Sequence, residues 1–348
     1  MNFSAVACAL VSAALFGLST TFAKLLIADI DPWVLAGLLY CGSGAGLWLF
    51  RLARPALRVQ SGAALTRAEW PWLGGAIVFG GVVGPILLMV GLSRTEASTA
   101  SLLLTLEGAA TALIAWYAFR ENFDRRIALG MALIVAGAAV LSWRGEVTLD
   151  ELLGPAAIVG ACIAWGIDNN LTRKVSLADA TQIAMLKGAV AGPVSLALAV
   201  ANGAGLPPLG AAGAAGLVGF LGYGVSLVLF VVALRHLGTA RTGAYYSTAP
   251  FLGAASAMLL LAEPVTIQLL AGGALMAWGV WLHLTERHEH EHAHEPMAHS
   301  HRHAHDEHHR HAHGPADPPG EPHTHWHEHE AMRHTHRHVP DSHHRHAH

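Results

Sequence analysis

Charge is what this chain has least of. Only 13% of its 348 residues are Asp, Glu, Lys or Arg, and 53% are hydrophobic. An average soluble domain is about one quarter charged. From Met1 to Thr285 nearly every charge lies between long apolar runs rather than along one face of a run, which excludes an amphipathic, water-soluble fold for that stretch. Cysteine is scarce too. Cys8, Cys41 and Cys162 all fall inside apolar runs, so neither a disulfide framework nor a Cys-x-x-Cys zinc site is available, and all three are expected to pack as small apolar residues. His-Glu-x-x-His, Gly-x-Ser-x-Gly and a phosphate-binding loop are missing. The expectation is a protein that is not an enzyme, requires no cofactor and binds no nucleic acid. No basic residue precedes the first apolar run, which argues against a cleaved signal peptide.

What is present is a series of apolar runs, each long enough for the about 20 residues that cross a hydrocarbon core of about 30 Å. Ten are expected, over residues 4–28, 33–50, 70–92, 97–119, 127–143, 152–171, 180–201, 212–234, 242–261 and 267–284. With the N-terminus in the cytoplasm, Arg51, Arg54, Arg58, Arg67, Arg120, Arg125, Arg126, Arg173, Lys174, Arg235 and Arg241 lie inside, and only Arg94 and Arg144 outside. That imbalance sets the orientation and returns the C-terminus to the cytoplasm, as expected for a multi-pass protein of the bacterial inner membrane.

Internal similarity divides the membrane part in two. Phe16-Gly17, followed by Lys24, aligns with Trp165-Gly166, followed by Arg173. Residues 91–137 align without a gap with residues 233–279, so that Leu92 meets Leu234, Glu121 meets Glu263, Gly130 meets Gly272 and Gly137 meets Gly279. Five spans per half force the second half to enter from the opposite side, and inverted repeats of this kind hold a substrate site near the midplane and rock around it. The expected fold class is therefore an all-α membrane protein of ten transmembrane helices, built as two inverted five-helix repeats with a disordered C-terminal tail. The domains are residues 1–145, 146–285 and 286–348.

The aromatic-Gly pattern closed by a cation, together with Leu106-Glu107, Glu121, Glu263-Pro264, Gly272 and Gly279, resembles the drug/metabolite transporter superfamily, in particular the ten-helix group with two EamA-type domains. The similarity covers about residues 4 to 285 and leaves the tail unexplained. Departures are Phe16 where the family often has tryptophan, Gly108 where it has proline, and Ala249 where a second glutamate would stand beside Pro250. The resemblance implies transport of a small solute and does not name it.

Charges inside spanning helices cost about 2.5–3.5 kcal/mol even on the most lenient scale, so each asks for a reason. Glu107 is a candidate proton, cation or substrate contact, and Lys187 a candidate partner for Glu107 or Asp168. Asp168, Asn169 and Asn170 replace Ser19, Thr20 and Thr21 of the first half and are candidate substrate-lining residues. Tyr245 and Tyr246 offer hydroxyls near the midplane. Lys24 is placed to snorkel to its nearer surface. Gly210, Gly213, Gly216, Gly219 and Gly222 recur every third residue and are expected to allow close helix contact. Pro85 and Pro193 are expected kinks.

Residues 286–348 hold 23 of the 25 histidines, interleaved with Glu, Asp, Arg, Pro and Ala, and cannot form a packed core. Histidine alternates at His288, His290, His292, His294, at His299, His301, His303, His305 and at His323, His325, His327, His329. Neutral imidazole suits nickel, zinc or cobalt ions, so the tail is expected to bind divalent metal. Three readings follow: export of a small solute; efflux of a divalent metal with the tail as a cytosolic collector or sensor; or a membrane-anchored metal buffer. The partners expected are the lipid bilayer and a small-molecule or metal-ion substrate.

Overall fold

The computed structural model describes residues 3–57, 63–119, 125–143, 149–175 and 178–285, with four further backbone segments in the tail. Eight described helices are long and apolar enough to cross a membrane: α1 (Ala5–Leu26), α2 (Pro32–Ala53), α3 (Arg67–Ser93), α4 (Ala97–Ala118), α5 (Arg125–Ser142), α6 (Leu152–Arg173), α7 (Ala180–Ala201) and α8 (Leu209–Ala233). Two shorter apolar helices follow, α9 (Ala249–Leu260) and α10 (Ile267–His283). In hydrocarbon every backbone N–H and C=O must be satisfied within the chain, so runs of this composition become helices.

Helical backbone continues past α8 over Ser226–Tyr246. A straight helix would place residues 230 and 246 about 24 Å apart. Their rings are 4.7 Å apart, so the chain reverses between them and the last residues of this segment lead into α9 as the ninth span. Asp31 and Asp179 start α2 and α7 in the same way. Asp31 accepts from the N–H groups of Trp33 (2.9 Å) and Val34, and Asp179 from those of Thr181 (2.8 Å) and Gln182.

The inverted relation is visible in the packing. A Cβ at Gly130 would press on the carbonyl of Gly279, and one at Gly279 on the carbonyl of Gly130. Gly137 and Gly272 stand in the same reciprocal relation. Because Gly130 aligns with Gly272 and Gly137 with Gly279, α5 and α10 are repeat counterparts crossing on a local two-fold axis. Gly44 and Gly188 exchange contacts likewise between α2 and α7. Small residues let these helices approach to backbone contact, the means by which helices associate in lipid.

The glycine series in α8 is only partly used. Gly216, Gly219 and Gly222 lie against Gly42, Leu39 and Ser19, whereas a Cβ at Gly210 or Gly213 would meet nothing within 4 Å. The two open positions sit in the first turns of α8, ahead of its contact with α2. Pro85 follows an irregular turn of α3, and Pro193 is inside α7.

In the tail, backbone pairing appears where composition alone gave none. His288–His294 pairs antiparallel with Met332–His338, and Met297–His303 with His323–His329, as two separate two-stranded ladders. Alternation in the sequence has the period of a strand. Neither ladder has an apolar face to bury, and an isolated two-stranded ladder is marginal in water.

Candidate functional site

Irregular backbone occurs at matching places in the two halves. α3 contains a π-helical stretch over Ile77–Val83 and α8 one over Phe220–Val225. α4 is interrupted at Leu104 and Thr105, between Ala97–Leu103 and Leu106–Phe119. The ninth span is interrupted at Ser247 and Thr248, directly after Tyr246 and before Ala249. In the alignment that pairs Glu121 with Glu263, Thr105 and Ser247 are counterparts. Broken helices at membrane depth are tolerated where they are buried in protein or line a cavity, and in inverted-repeat transporters they form the binding site.

The charged residues gather beside these breaks. Lys187 of α7 donates to both oxygens of Asp168 of α6, at 2.6 and 2.7 Å, and both side chains are buried. Thr172, one turn beyond Asp168, donates to it at 2.8 Å and accepts from Lys187 at 3.3 Å. A side chain at position 80 would collide with the Asp168 carboxylate, so Gly80 is needed for α6 to come this close. Gly80 lies in the π-helical stretch, and its carbonyl accepts from Tyr40 Oη at 2.7 Å and Trp165 Nε1 at 3.0 Å. Bulging the helix frees that acceptor for two side chains.

Glu107 stands in the first turn of the second half of α4, where a helix N-terminus favours a carboxylate. It accepts from Asn169 Nδ2 at 2.9 Å, and the same nitrogen donates to Thr111 Oγ1 at 3.1 Å. Asn170 braces α6 on α4 by donating to the carbonyls of Thr111 and Gly166, at 3.1 and 2.8 Å. Lys187 is engaged by Asp168, and Glu107 makes no ion pair among the described residues. Asn169 is exposed, and beside Glu107 a Cβ at Gly108 would meet nothing within 4 Å. Glu107 thus borders open space while Asp168 and Lys187 are sealed.

Aromatic rings complete the site. The centroid of Phe16 lies 6.1 Å from Trp165, 5.9 Å from Tyr223 and 5.7 Å from Tyr246, and Tyr40 is 5.5 Å from Tyr223. Phe16 and Trp165, the counterparts that head the two repeats, meet each other here. Of the residues singled out in the sequence, Glu107 is brought to Asn169, Asp168 to Lys187, and Tyr246 into the aromatic cluster; Tyr245 is outside it. Tyr40, Tyr223, Thr111 and Thr172 carried no periodic or repeat signal and were found only through their contacts. The tail histidines' side chains and Glu121 lie outside the described residues. Among the described residues no group of three or more His, Cys, Asp or Glu is placed to hold a metal ion.

On either side of the breaks the packing differs. Ala97–Leu103 packs on α9, with Ser101 against Gly253, and Gly253 in turn against the backbone of Gly17. Beyond the breaks, Leu106–Phe119 packs on α6 and Ser226–Tyr246 on α1. The two broken spans therefore pack together at the end that carries Glu263.

Residues 3–143 and 152–285 match the EamA-like transporter family, one match for each half. The chain belongs to this family. An uncharacterized transporter of Methanothermobacter thermautotrophicus is 27% identical over 285 residues, covering 77% of this chain and 82% of that one. A protein of Pseudomonas fluorescens described as a probable 4-amino-4-deoxy-L-arabinose-phosphoundecaprenol flippase subunit ArnE is 34% identical over 108 residues, 30% of this chain and 92% of its own length. A solved crystal structure superposes with a TM-score of 0.59 at 16% identity, over 81% of this chain and 96% of that one, which shows the shared fold. As an EamA-like transporter, the chain is a multi-pass membrane protein that handles a small molecule across the bilayer.

Proposed function

We propose that this EamA-like transporter is a secondary exporter of a small solute across the bacterial inner membrane. Its halves, residues 1–145 and 146–285, rock about the site formed by Glu107, Asp168, Asn169, Asn170, Lys187 and Tyr246. The observation that carries this reading is the Glu107 carboxyl, without an ion-pair partner among the described residues, at the meeting point of two broken helices and beside the exposed Asn169. A carboxylate in that position takes a cation from water, either a proton or a charged group of the solute, and exchange between them couples export to the proton gradient. Packing of the broken spans at the Glu263 end, with Asn169 exposed beside Glu107, corresponds to a site facing the cytoplasm. Growth of a strain lacking this chain, across a panel of amino acids, amines and metal salts, tests it. Sensitivity to at least one solute is expected, and unchanged growth across the panel with unchanged intracellular pools speaks against export.

Orientation gives a separate prediction. Reporter fusions after Arg58, Arg125 and Leu284 should report cytoplasm and one after Asp150 the outside, following the basic loops. An external signal at Leu284 would remove both the inverted repeat and the argument for residues 286–348 as a cytosolic collector.

A second reading, efflux of nickel, cobalt or zinc with residues 286–348 as collector, is favoured by the register of the tail. It sets His288, His290 and His292 opposite His338, His336 and His334, and His299, His301 and His303 opposite His327, His325 and His323. Directly opposed residues of an antiparallel pair share a face. Titration of the full-length chain with nickel should give binding at pH 7 that falls steeply by pH 5.5. Protons then compete for imidazoles of pKa about 6.5, and stability of the metal complex is lost as pH drops through that value. Equal affinity at both pH values, or displacement by millimolar magnesium, would assign binding to carboxylates instead. Deleting residues 286–348 separates the readings: metal efflux loses apparent affinity, a metal buffer loses all function, and solute export loses little.

A further inference from the structure

The end of the molecule where the broken spans come together is held by an unusual helix cap. The residue that starts α4, Glu96, makes no side-chain cap, yet the first turn is not left open. Glu263, from the connection between α9 and α10, accepts from the backbone N–H of Ala97 at 2.7 Å with one carboxylate oxygen and from that of Ser98 at 2.8 Å with the other. A carboxylate here satisfies two orphan donors and meets the positive end of the helix dipole. Capping therefore comes from the other half of the protein. Lys24 closes the same corner from α1 by donating to the carbonyls of Leu92 and Thr95, each at 2.6 Å, within electrostatic reach of Glu263 and Glu96.

Two further features belong to this corner. Ala262, immediately before Glu263, has φ +53°, the left-handed region that a residue with a Cβ enters only against strain. Such strain persists where neighbouring bonds enforce it, and the paired bonds of Glu263 are those neighbours. Below the cap, the hydroxyls of Ser98, Ser101 and Thr105 are buried and bond no group of the protein among the described residues. They follow one face of α4 from the cap to the break beside Glu107, and Ser101 faces Gly253 of α9. Buried hydroxyls in native proteins are nearly always bonded to protein or water. A line of orphaned ones in a permanent interface would be a standing cost, whereas in an interface that opens they are bonded whenever water or solute enters.

We propose that Ser98, Ser101 and Thr105 line the leg of the solute path between Glu107 and the Glu263 end, and that Glu263 is the latch that holds this leg shut. The proposal rests on the alternating-access reading of the site. When Glu263 leaves the first turn of α4, Ala262 relaxes, α4 and α9 part, and the three hydroxyls face the path, where they bond water and the polar groups of the passing solute. Closure at this end is metastable because the latched state carries both the strain and the orphaned hydroxyls.

The test uses the full chain in lipid nanodiscs with Cys8, Cys41 and Cys162 changed to alanine, one reporter cysteine at a time (Ser101→Cys or Asn169→Cys), and a water-soluble maleimide. Glu263→Gln keeps size, removes the charge and replaces one of the two acceptors with an NH2 donor that faces a backbone N–H. It should speed labelling of Ser101→Cys about tenfold or more and slow that of Asn169→Cys, since the population moves from one open end to the other. Ala262→Gly removes the strain of the latched state and should move both rates the opposite way, by about fivefold. Two outcomes overturn the proposal. One is both reporters speeding up together in Glu263→Gln, which marks a loosened fold; the other is Ser101→Cys labelling that neither variant changes. Should Glu263→Gln fail to insert, Ala262→Gly decides alone. No solute enters the measurement, so its failure is separate from a failure to find a transported solute.

Discussion

Replacing Lys187 with methionine should destabilise the folded protein by about 3–5 kcal/mol, because it strands the Asp168 carboxylate in a dry interior. Asp168 is 7% exposed and Lys187 5%, and once Lys187 is gone the hydrogen bond from Thr172 is the one contact left to the Asp168 carboxylate among those the structure shows. Removing both charges is a different matter. The pair Lys187→Met with Asp168→Asn leaves no buried ion, and most of the loss should be recovered, since a buried ion pair replaced by neutral groups of similar volume is often nearly neutral in stability. Unfolding of the purified variants in mixed micelles, followed by the fluorescence of the ten tryptophans, gives both values. A single variant within about 1 kcal/mol of the native protein, or a double variant no better than the single, would mean that the pair is hydrated and that Asp168 belongs to the open part of the site.

The parts legible in the sequence were those that the bilayer itself dictates. Span lengths follow from hydrocarbon thickness, so ten helices could be marked, and the odd number per half made the repeat inverted. Reciprocal contact of Gly130 with Gly279 and of Gly137 with Gly272 then follows from the alignment, once the two halves face each other. The partner of Lys187 was open between Glu107 and Asp168, because the choice depends on how far α6 advances toward α3. Gly80 decides it, and no pattern in the sequence marks that glycine among 37. Tyr40 and Tyr223 were missed for a similar reason: a single aromatic residue in an apolar helix has no periodicity to betray that it faces Phe16 rather than lipid. Glu263 was visible as a repeat counterpart of Glu121, but not as a cap. Its two acceptors meet donors 165 and 166 residues away, a contact made only by the docking of one half on the other.

Glu107→Gln carries the second large effect. Glutamine is nearly isosteric with glutamate and can still accept from Asn169, so folding and insertion should be unchanged while transport is abolished. The amide has no charge to exchange between a proton and the solute, and the site becomes neutral once Lys187 and Asp168 cancel. This differs from the Lys187 variant, in which stability falls first and activity with it.

Everted membrane vesicles with an imposed proton gradient bring the central claim to one measurement. Accumulation of radiolabelled amino acids, amines and divalent metals is compared between vesicles carrying the native chain and vesicles carrying equal amounts of Glu107→Gln. Alternating access through Glu107 predicts at least one solute that the native chain accumulates and Glu107→Gln does not. Equal accumulation of that solute by both would contradict it and return Glu107 to a structural bond with Asn169.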